Sequence, residues 1–265
     1  NIYYTKKGTG SPILLIHDTL PGASGYEWSK IEDELAIDHT VYTVDLLGCG
    51  RSDKSSITYT NFVYVQMISD FIKKIIGQKT DVIASGFSGS FVTMACHNEK
   101  ELFNKIMLVN PPSLTQLKQM PNRKDRLLKA ALEIPIFGTL VYHMIVSRDN
   151  INNLFIEKMY YNPFHVDNQM ADAYYEAAHK GGYYTRFLYS SLAAKYININ
   201  ICHALKALDN SIYIVEGETE PNGKAVTDDY CASNPAIEVS VLKETKHLPH
   251  VEAPEAFLEQ VKIFF

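Results

Sequence analysis

The sequence is poor in the residue patterns that build metal centres, haem attachments and disulfide frameworks. Its four cysteines lie far apart and form neither a C-x-x-C nor a C-x-x-C-H spacing. The histidines outside the motifs described below have no partner at the spacing of a metal-ligand pair. We therefore expect no disulfides, no bound metal and no cofactor.

Basic excess and long hydrophobic runs are also missing. The chain has 25 Lys and Arg against 30 Asp and Glu, with a net charge of −5, which argues against a nucleic-acid partner. Its early apolar run, residues 13–16, is far shorter than the roughly 20 residues that cross a membrane. We expect no membrane span in this chain and favour a cytoplasmic location. Because the chain begins at Asn1, a leader or anchor removed upstream is the alternative, and no heptad run indicates an oligomeric state.

Apolar residues are abundant enough for a large core, at 46% of the 265 residues. Short β-rich runs alternate with helical periodicity along most of the chain. Strands are predicted at residues 2–5, 12–17, 39–46, 81–85, 105–110, 211–216 and 237–243, and helices at 27–36, 60–76, 88–97, 227–232 and 254–265. This order predicts an α/β fold with a mostly parallel central sheet flanked by helices.

The alternation is interrupted after Pro111 and Pro112. Residues 113–205 have helical periodicity without a convincing strand, which predicts a helical cap inserted into a core made of residues 1–112 and 206–265. The insertion holds nine of the 17 tyrosines, namely Tyr142, Tyr160, Tyr161, Tyr174, Tyr175, Tyr183, Tyr184, Tyr189 and Tyr196. Most should pack between helices, while a few are expected to face the cleft and favour an apolar or aromatic substrate.

A candidate nucleophile follows the strand at residues 81–85. The run Gly86-Phe87-Ser88-Gly89-Ser90 lies between a strand and a helix, which is the context of a nucleophile elbow. Small residues are needed there because the backbones approach closely. A Gly/Ser turn without chemistry is the alternative interpretation of the same five residues.

Partners for a serine nucleophile follow the last two predicted strands. His247 comes after the strand at residues 237–243, and Glu216, Glu218 and Glu220 come at the end of the preceding one. Carboxyl ends of parallel strands meet at one edge of the sheet, so a base and an orienting acid can meet Ser88 there. The chain order of serine, acid and histidine is the one expected with this elbow.

Several motifs in register resemble the α/β-hydrolase superfamily, in the esterase, dehalogenase and epoxide-hydrolase branch with a helical cap. They are residues 12–18 (PILLIHD), 45–52 (DLLGCGRS), 217–220 (GETE) and 247–254 (HLPHVEAP). The resemblance covers almost the whole chain and implies Glu220 as the acid, in place of the commoner aspartate. It also implies that the N–H groups of Thr19 and Gly89 form the oxyanion hole. Asp18 replaces a glycine of the family and would oppose an oxyanion unless its side chain points away.

These observations predict a serine hydrolase that cleaves carboxylic esters of small to medium apolar or aromatic substrates. Ser88 would form an acyl-enzyme, with His247 as base and Glu220 as its orienting acid. Dehalogenases and epoxide hydrolases of the superfamily carry an aspartate at the elbow instead. Other chemistry with the same triad (carbon–carbon bond hydrolysis, lactone opening, acyl transfer or lyase activity) stays open, as does a non-catalytic ligand receptor.

Overall fold

A seven-stranded sheet forms the centre of the molecule in a computed structural model that describes residues 1–265. The strands are β1 (Tyr4–Lys7), β2 (Ser11–Ile16), β3 (His39–Val44), β4 (Thr80–Ser85), β5 (Phe103–Val109), β6 (Ile212–Gly217) and β7 (Glu238–Leu242). Their order in the sheet is β1-β3-β2-β4-β5-β6-β7. Only the pairing of β1 with β3 is antiparallel. The predicted mostly parallel sheet is confirmed, and the carboxyl ends of β2 to β7 share one edge.

Both faces of the sheet are covered, which explains the continuous apolar run of β2. Leu14 and Ile16 enter one buried cluster, and Ile13 and Leu15 enter a second cluster on the opposite face. Alternate side chains of a strand point to opposite faces, so a strand covered on both sides needs apolar residues at every position.

The α-helices are α1 (Glu32–Leu35), α2 (Asn61–Phe71), α3 (Ser88–Asn98), α4 (Leu114–Leu117), α5 (Arg123–Glu133), α6 (Phe137–Ile145), α7 (Arg148–Leu154), α8 (Asn168–His179), α9 (Thr185–Ala193), α10 (Cys202–Ala207), α11 (Gly223–Ser233), α12 (Pro249–Glu252) and α13 (Pro254–Phe264). The helix predicted at residues 60–76 continues from α2 through a π-helical turn, Ile72–Ile76, and ends at Gly77 with a φ of 75°. The helix predicted at residues 27–36 is instead two short pieces, the 3₁₀ turn Gly25–Trp28 and α1.

Helices α4 to α10 all lie between β5 and β6; α4 to α9 fall within the stretch predicted to form the cap, and α10 crosses its end at residue 205. A third buried cluster joins Tyr142 and Tyr174 of this stretch to Leu248 and Val251 beside α12. The end of the stretch behaves differently, because Ile197, Ile201 and Leu205 are part of the main core cluster. The last residues before the predicted boundary at 205 therefore pack with the core.

No single helix is long and apolar enough to cross a membrane. Helices α5 and α6 reach that length and apolarity only when taken together, and they are bent against each other by 97°.

Candidate active site

A sharp turn joins β4 to α3, and its tip is Gly86. This residue has a φ of 54°, a region that glycine adopts readily, while Phe87 is already helical at φ −58° and ψ −29°. In a nucleophile elbow, the residue at the strained tip presents the attacking side chain. Here that position carries no side chain.

Ser88 lies two residues beyond the tip, against the prediction that the turn would present it. It is the first residue of α3, is fully buried, and its Oγ donates to the carbonyl oxygen of His17 at 2.5 Å. The other polar neighbour of this hydroxyl is Thr19 Oγ1 at 3.3 Å, and no hydrogen bond joins Ser88 to His247. The sequence pattern does not distinguish the two registers, because Ala84 and Ser88 flank Gly86 just as Gly86 and Ser90 flank Ser88.

The carboxylate of Asp18 occupies the space at the tip. A Cβ built on Gly86 would lie 2.2–2.4 Å from the Asp18 carboxyl atoms. Oδ1 of Asp18 accepts the N–H of Thr19 at 2.6 Å and the N–H of Phe87 at 2.8 Å, and Oδ2 lies 3.4 Å from His247 Nε2. Asp18 therefore points into the site, whereas an undisturbed oxyanion hole would require it to point away.

The two N–H groups that converge here are those of Thr19 and Phe87. Of the two N–H groups predicted to form the oxyanion hole, that of Thr19 lies here. The N–H of Gly89 instead donates to the carbonyl oxygen of Gly86 at 3.1 Å. Phe87 takes the place assigned to Gly89, because the turn begins two residues earlier than the sequence pattern indicated.

His247 and Glu220 are brought together by the loops after β7 and β6. His247 Nδ1 lies 3.2 Å from Glu220 Oε1. Asn110 fixes this loop pair: its side chain donates to the carbonyl oxygens of Lys246 and His247 at 2.8 and 2.9 Å and accepts the N–H of Gly217 at 3.0 Å.

The two alternative acids are engaged elsewhere. Glu218 is exposed and accepts the N–H of Glu244 at 3.0 Å. Glu216 is buried beneath Gly223, and burial raises the pKa of its carboxyl group. Of the three acids, only Glu220 contacts the His247 imidazole.

The imidazole of His247 lies between two carboxylates. Burial disfavours its charged form, but the hydrogen bonds and charges of Asp18 and Glu220 outweigh burial and raise the pKa of His247 to about 10. At neutral pH the ring is therefore an imidazolium, with Nε2 directed at Asp18 and Nδ1 at Glu220.

A buried network supports Asp18 from behind. Its N–H donates to Glu27 Oε2 at 3.4 Å, and His17 Nδ1 lies 2.6 Å from its carbonyl oxygen. His17 Nε2 accepts the N–H of Leu46 at 3.0 Å, so the ring proton is on Nδ1 and is donated to Asp18. His17 thereby holds this loop in place.

A cavity of about 360 Å³ opens beside Asp18, Glu220 and His247. Its opposite wall comes from the cap and includes Ser113, Gln116, Leu154, Lys158 and Met159. None of the nine cap tyrosines lines this cavity, but Tyr189 lines a neighbouring one that shares Leu20, Phe87 and Gln116 with it. Residues 1–265 contain no cluster of His, Cys, Asp and Glu with the geometry of a metal site.

Comparisons with known proteins agree with this architecture. A model of the alpha/beta hydrolase family matches residues 13–260. A 2-hydroxy-6-oxo-6-(2'-aminophenyl)hexa-2,4-dienoic acid hydrolase from Metapseudomonas resinovorans is 29% identical over 113 residues, which cover 42% of this chain and 39% of the relative. A soluble epoxide hydrolase from Corynebacterium sp. (strain C12) is 24% identical over 109 residues, covering 41% of this chain and 37% of the relative.

Solved structures share the fold over nearly the full length. The epoxide hydrolase CorEH superimposes with a TM-score of 0.80 and 18% identity, covering 100% of this chain and 94% of that one. The sequence matches to the curated relatives, in contrast, span about two fifths of each relative or less.

Proposed function

Because the chain belongs to the alpha/beta hydrolase family, we propose that it hydrolyses an epoxide through a covalent ester with Asp18. One observation carries the proposal: Asp18 Oδ1 accepts the N–H groups of Thr19 and Phe87, while Oδ2 faces His247 and the cavity. A carboxylate held in this way can attack carbon with one oxygen while the other is already bound for the next step.

The first step opens the epoxide. Asp18 Oδ2 attacks a ring carbon, the carbon–oxygen bond of the ring breaks, and the His247 imidazolium gives its Nε2 proton to the departing oxygen. The products are a hydroxyalkyl ester on Asp18 and a neutral imidazole. Esterification removes one of the two negative charges that raise the pKa of His247, which favours this proton transfer.

The second step hydrolyses the ester. Neutral His247, oriented by Glu220, takes a proton from water as the water oxygen attacks Asp18 Cγ. Oδ1 becomes the oxyanion and is stabilised by the N–H groups of Thr19 and Phe87, each of which is worth roughly 10²- to 10³-fold in rate. Collapse releases the diol, whose alkoxide takes a proton from His247. The carboxyl proton returns to the imidazole, so the carboxylate and imidazolium are regenerated.

The same geometry argues against direct attack on an ester. A bound ester would place its carbonyl oxygen at the N–H groups of Thr19 and Phe87, and Asp18 already fills that position. Ser88 would also have to leave its hydrogen bond to His17 and become exposed.

The test measures the turnover of styrene oxide by wild type, Asp18→Asn and Ser88→Ala. We expect diol formation by wild type, a loss of roughly 10³-fold or more in Asp18→Asn, and activity close to wild type in Ser88→Ala. An Asp18→Asn variant that is as active as wild type contradicts the proposal.

Ester hydrolysis through Ser88 is the second candidate, favoured by the position of its hydroxyl 3.3 Å from Thr19 Oγ1, at the margin of the site. A chain-length panel of p-nitrophenyl esters on the same three proteins tests it. Ester turnover that is lost in Ser88→Ala, together with no epoxide turnover, selects this candidate.

A further inference from the structure

The cap carries a set of exposed apolar side chains on α5, α6 and the turn between them. This set, named here the cap apolar face, contains Leu127 (71% exposed), Leu128 (43%), Ile134 (51%), Ile136 (78%), Phe137 (53%), Leu140 (61%) and Met144 (70%). Scattered exposed apolar residues are ordinary on a soluble surface, but seven within eighteen consecutive residues are a concentration that favours a docking surface.

The local geometry groups these side chains. Leu140 and Met144 are four residues apart and share one side of α6, and Ile136 directly precedes the helix. In the turn before α6, the N–H of Phe137 donates to the carbonyl oxygen of Pro135 at 2.8 Å, and Ile136 has a φ of 68°. A β-branched residue is strained in this conformation, which glycine or asparagine would adopt more readily. The turn thus places Ile136, the most exposed side chain of the set, at a position whose backbone conformation is unfavourable for isoleucine.

Basic residues adjoin the cap apolar face. Arg123, Lys124 and Arg126 are exposed on α5, and none of them forms a salt bridge. The two acidic residues of this stretch are already paired, Asp125 with Lys195 and Glu133 with Lys129. Residues 114–145, from α4 to the end of α6, contain five Lys and Arg against two Asp and Glu, although the whole chain has a net charge of −5. Positive charge is therefore concentrated around the apolar face.

We propose that the cap apolar face docks on an anionic lipid bilayer. Apolar side chains beside unpaired Lys and Arg are the composition of helices that lie in a membrane interface. The 97° bend between α5 and α6, and the lack of a single helix of spanning length, fit shallow interfacial insertion. A second copy of this chain fits less well, because two such faces would bring like charges together.

The cap apolar face follows the cavity wall along the chain. Ser113 and Gln116 line the cavity wall at α4, and α5 begins seven residues after Gln116. An apolar substrate dissolved in the bilayer would thus meet the protein on the side of the cap. The docking proposal itself does not rest on the proposed function, and its test measures binding without any turnover.

The test is cosedimentation of the full chain with vesicles of phosphatidylcholine alone and with one quarter phosphatidylglycerol. We expect binding to the anionic vesicles that weakens with added salt, and little binding to neutral ones. The variant Ile136→Asn/Leu140→Gln/Met144→Gln should lower the partition coefficient roughly tenfold or more. A matched control, Ile37→Asn/Phe62→Gln/Ile263→Gln, replaces side chains that are 66%, 71% and 73% exposed elsewhere and should bind as wild type does.

A second pair of variants isolates the charge. Arg123→Glu/Lys124→Glu/Arg126→Glu should lose most binding to anionic vesicles, and acidic residues at the start of α5 remain compatible with its helix dipole. Lys206→Glu/Lys224→Glu/Lys243→Glu makes the same change in net charge at exposed positions outside the cap and should retain most of the binding. Absence of wild-type binding to anionic vesicles overturns the proposal. So does a control variant that loses as much binding as the variant it is matched to. Self-association that is abolished by the apolar variant, without vesicle binding, would assign the face to a second copy instead.

Discussion

The carboxylate of Asp18 fills the space that a side chain on Gly86 would need. A Cβ at Gly86 would come within 2.2 Å of Asp18 Cγ, so residues 68 positions apart constrain each other directly. The turn after β4 has the shape of a nucleophile elbow, yet the only reactive group at its tip is supplied by the loop after β2. The same carboxylate contacts His247.

This relationship predicts how the two positions respond to substitution. Gly86→Ser should destabilise the protein, because its side chain overlaps the Asp18 carboxyl group and the backbone at φ 54° disfavours a side chain. Asp18→Gly/Gly86→Ser should recover most of that loss and place a hydroxyl beside His247. Thermal unfolding of the single and double variants measures the coupling.

The double variant also provides a chemical test. A fluorophosphonate should label Asp18→Gly/Gly86→Ser at residue 86, whereas wild type should not be labelled at its buried Ser88. Peptide mapping by mass spectrometry locates the adduct. Labelling of wild type at Ser88 would show that this hydroxyl is reachable and activated, against the geometry described here.

Removing the charge of Asp18 should change the titration of His247. Asp18→Asn keeps an oxygen that can accept the N–H groups of Thr19 and Phe87 but eliminates one of the two carboxylates that raise the pKa of His247. We expect a fall in this pKa from about 10 towards its ordinary value, as measured by NMR of the imidazole. Glu220→Gln should also lower it, and an unchanged value in both variants would contradict the assigned contacts.

Stability should depend on pH through the same group. The pKa of His247 is higher in the folded protein than in the unfolded chain, so folding is favoured by the bound proton. The contribution is fully present below the unfolded value of about 6.5 and is lost as pH rises towards about 10. Denaturant unfolding between pH 6 and pH 10 should show a decline in wild type that is smaller in His247→Gln. Equal slopes for the two proteins would exclude this linkage.

A fully buried pair behind the site predicts a large effect on stability. His250 Nε2 lies 3.2 Å from Glu27 Oε1, and the His250 ring stacks on Trp28 at 4.3 Å. Burial favours the neutral form of Glu27, but the His250 imidazole 3.2 Å away outweighs burial and lowers the pKa of Glu27. The stability that this shift contributes is therefore present at neutral pH and is lost in acid.

Glu27→Gln should lower the free energy of unfolding by about 3–5 kcal/mol, because the buried partner is left unbalanced. Glu34→Gln is the matched control: Glu34 is exposed and lies 3.3 Å from Lys262, so the expected change is roughly 1 kcal/mol or less. A loss for Glu27→Gln as small as that of the control would mean that the pair does little for folding.

The sheet was predictable because its signals are local and repeated. Each strand is a short β-rich run, and the helical runs between strands require parallel neighbours. The pairing of His247 with Glu220 was predictable for the same reason. Both residues follow strands whose carboxyl ends share an edge, and the structure places their side chains 3.2 Å apart.

The nucleophile position was harder to predict because two registers satisfy one pattern. Both Gly86 and Ser88 have small residues two positions away on each side, and only the backbone conformation shows that the tip falls on Gly86. The role of Asp18 depends on its carboxylate entering the space beside Gly86, a contact between distant residues that sequence spacing cannot reveal. Likewise, Tyr142 and Tyr174 satisfy the aromatic pattern expected of a pocket but pack into the cluster between cap and core.

The central claim, attack by Asp18 on carbon, is tested most directly by a single turnover of enzyme in excess over epoxide in H₂¹⁸O. Water attacks Asp18 Cγ in this account, so mass spectrometry should find ¹⁸O in the peptide that contains Asp18 and ¹⁶O in the first diol released. Label in the diol with none in the Asp18 carboxylate would contradict the covalent ester.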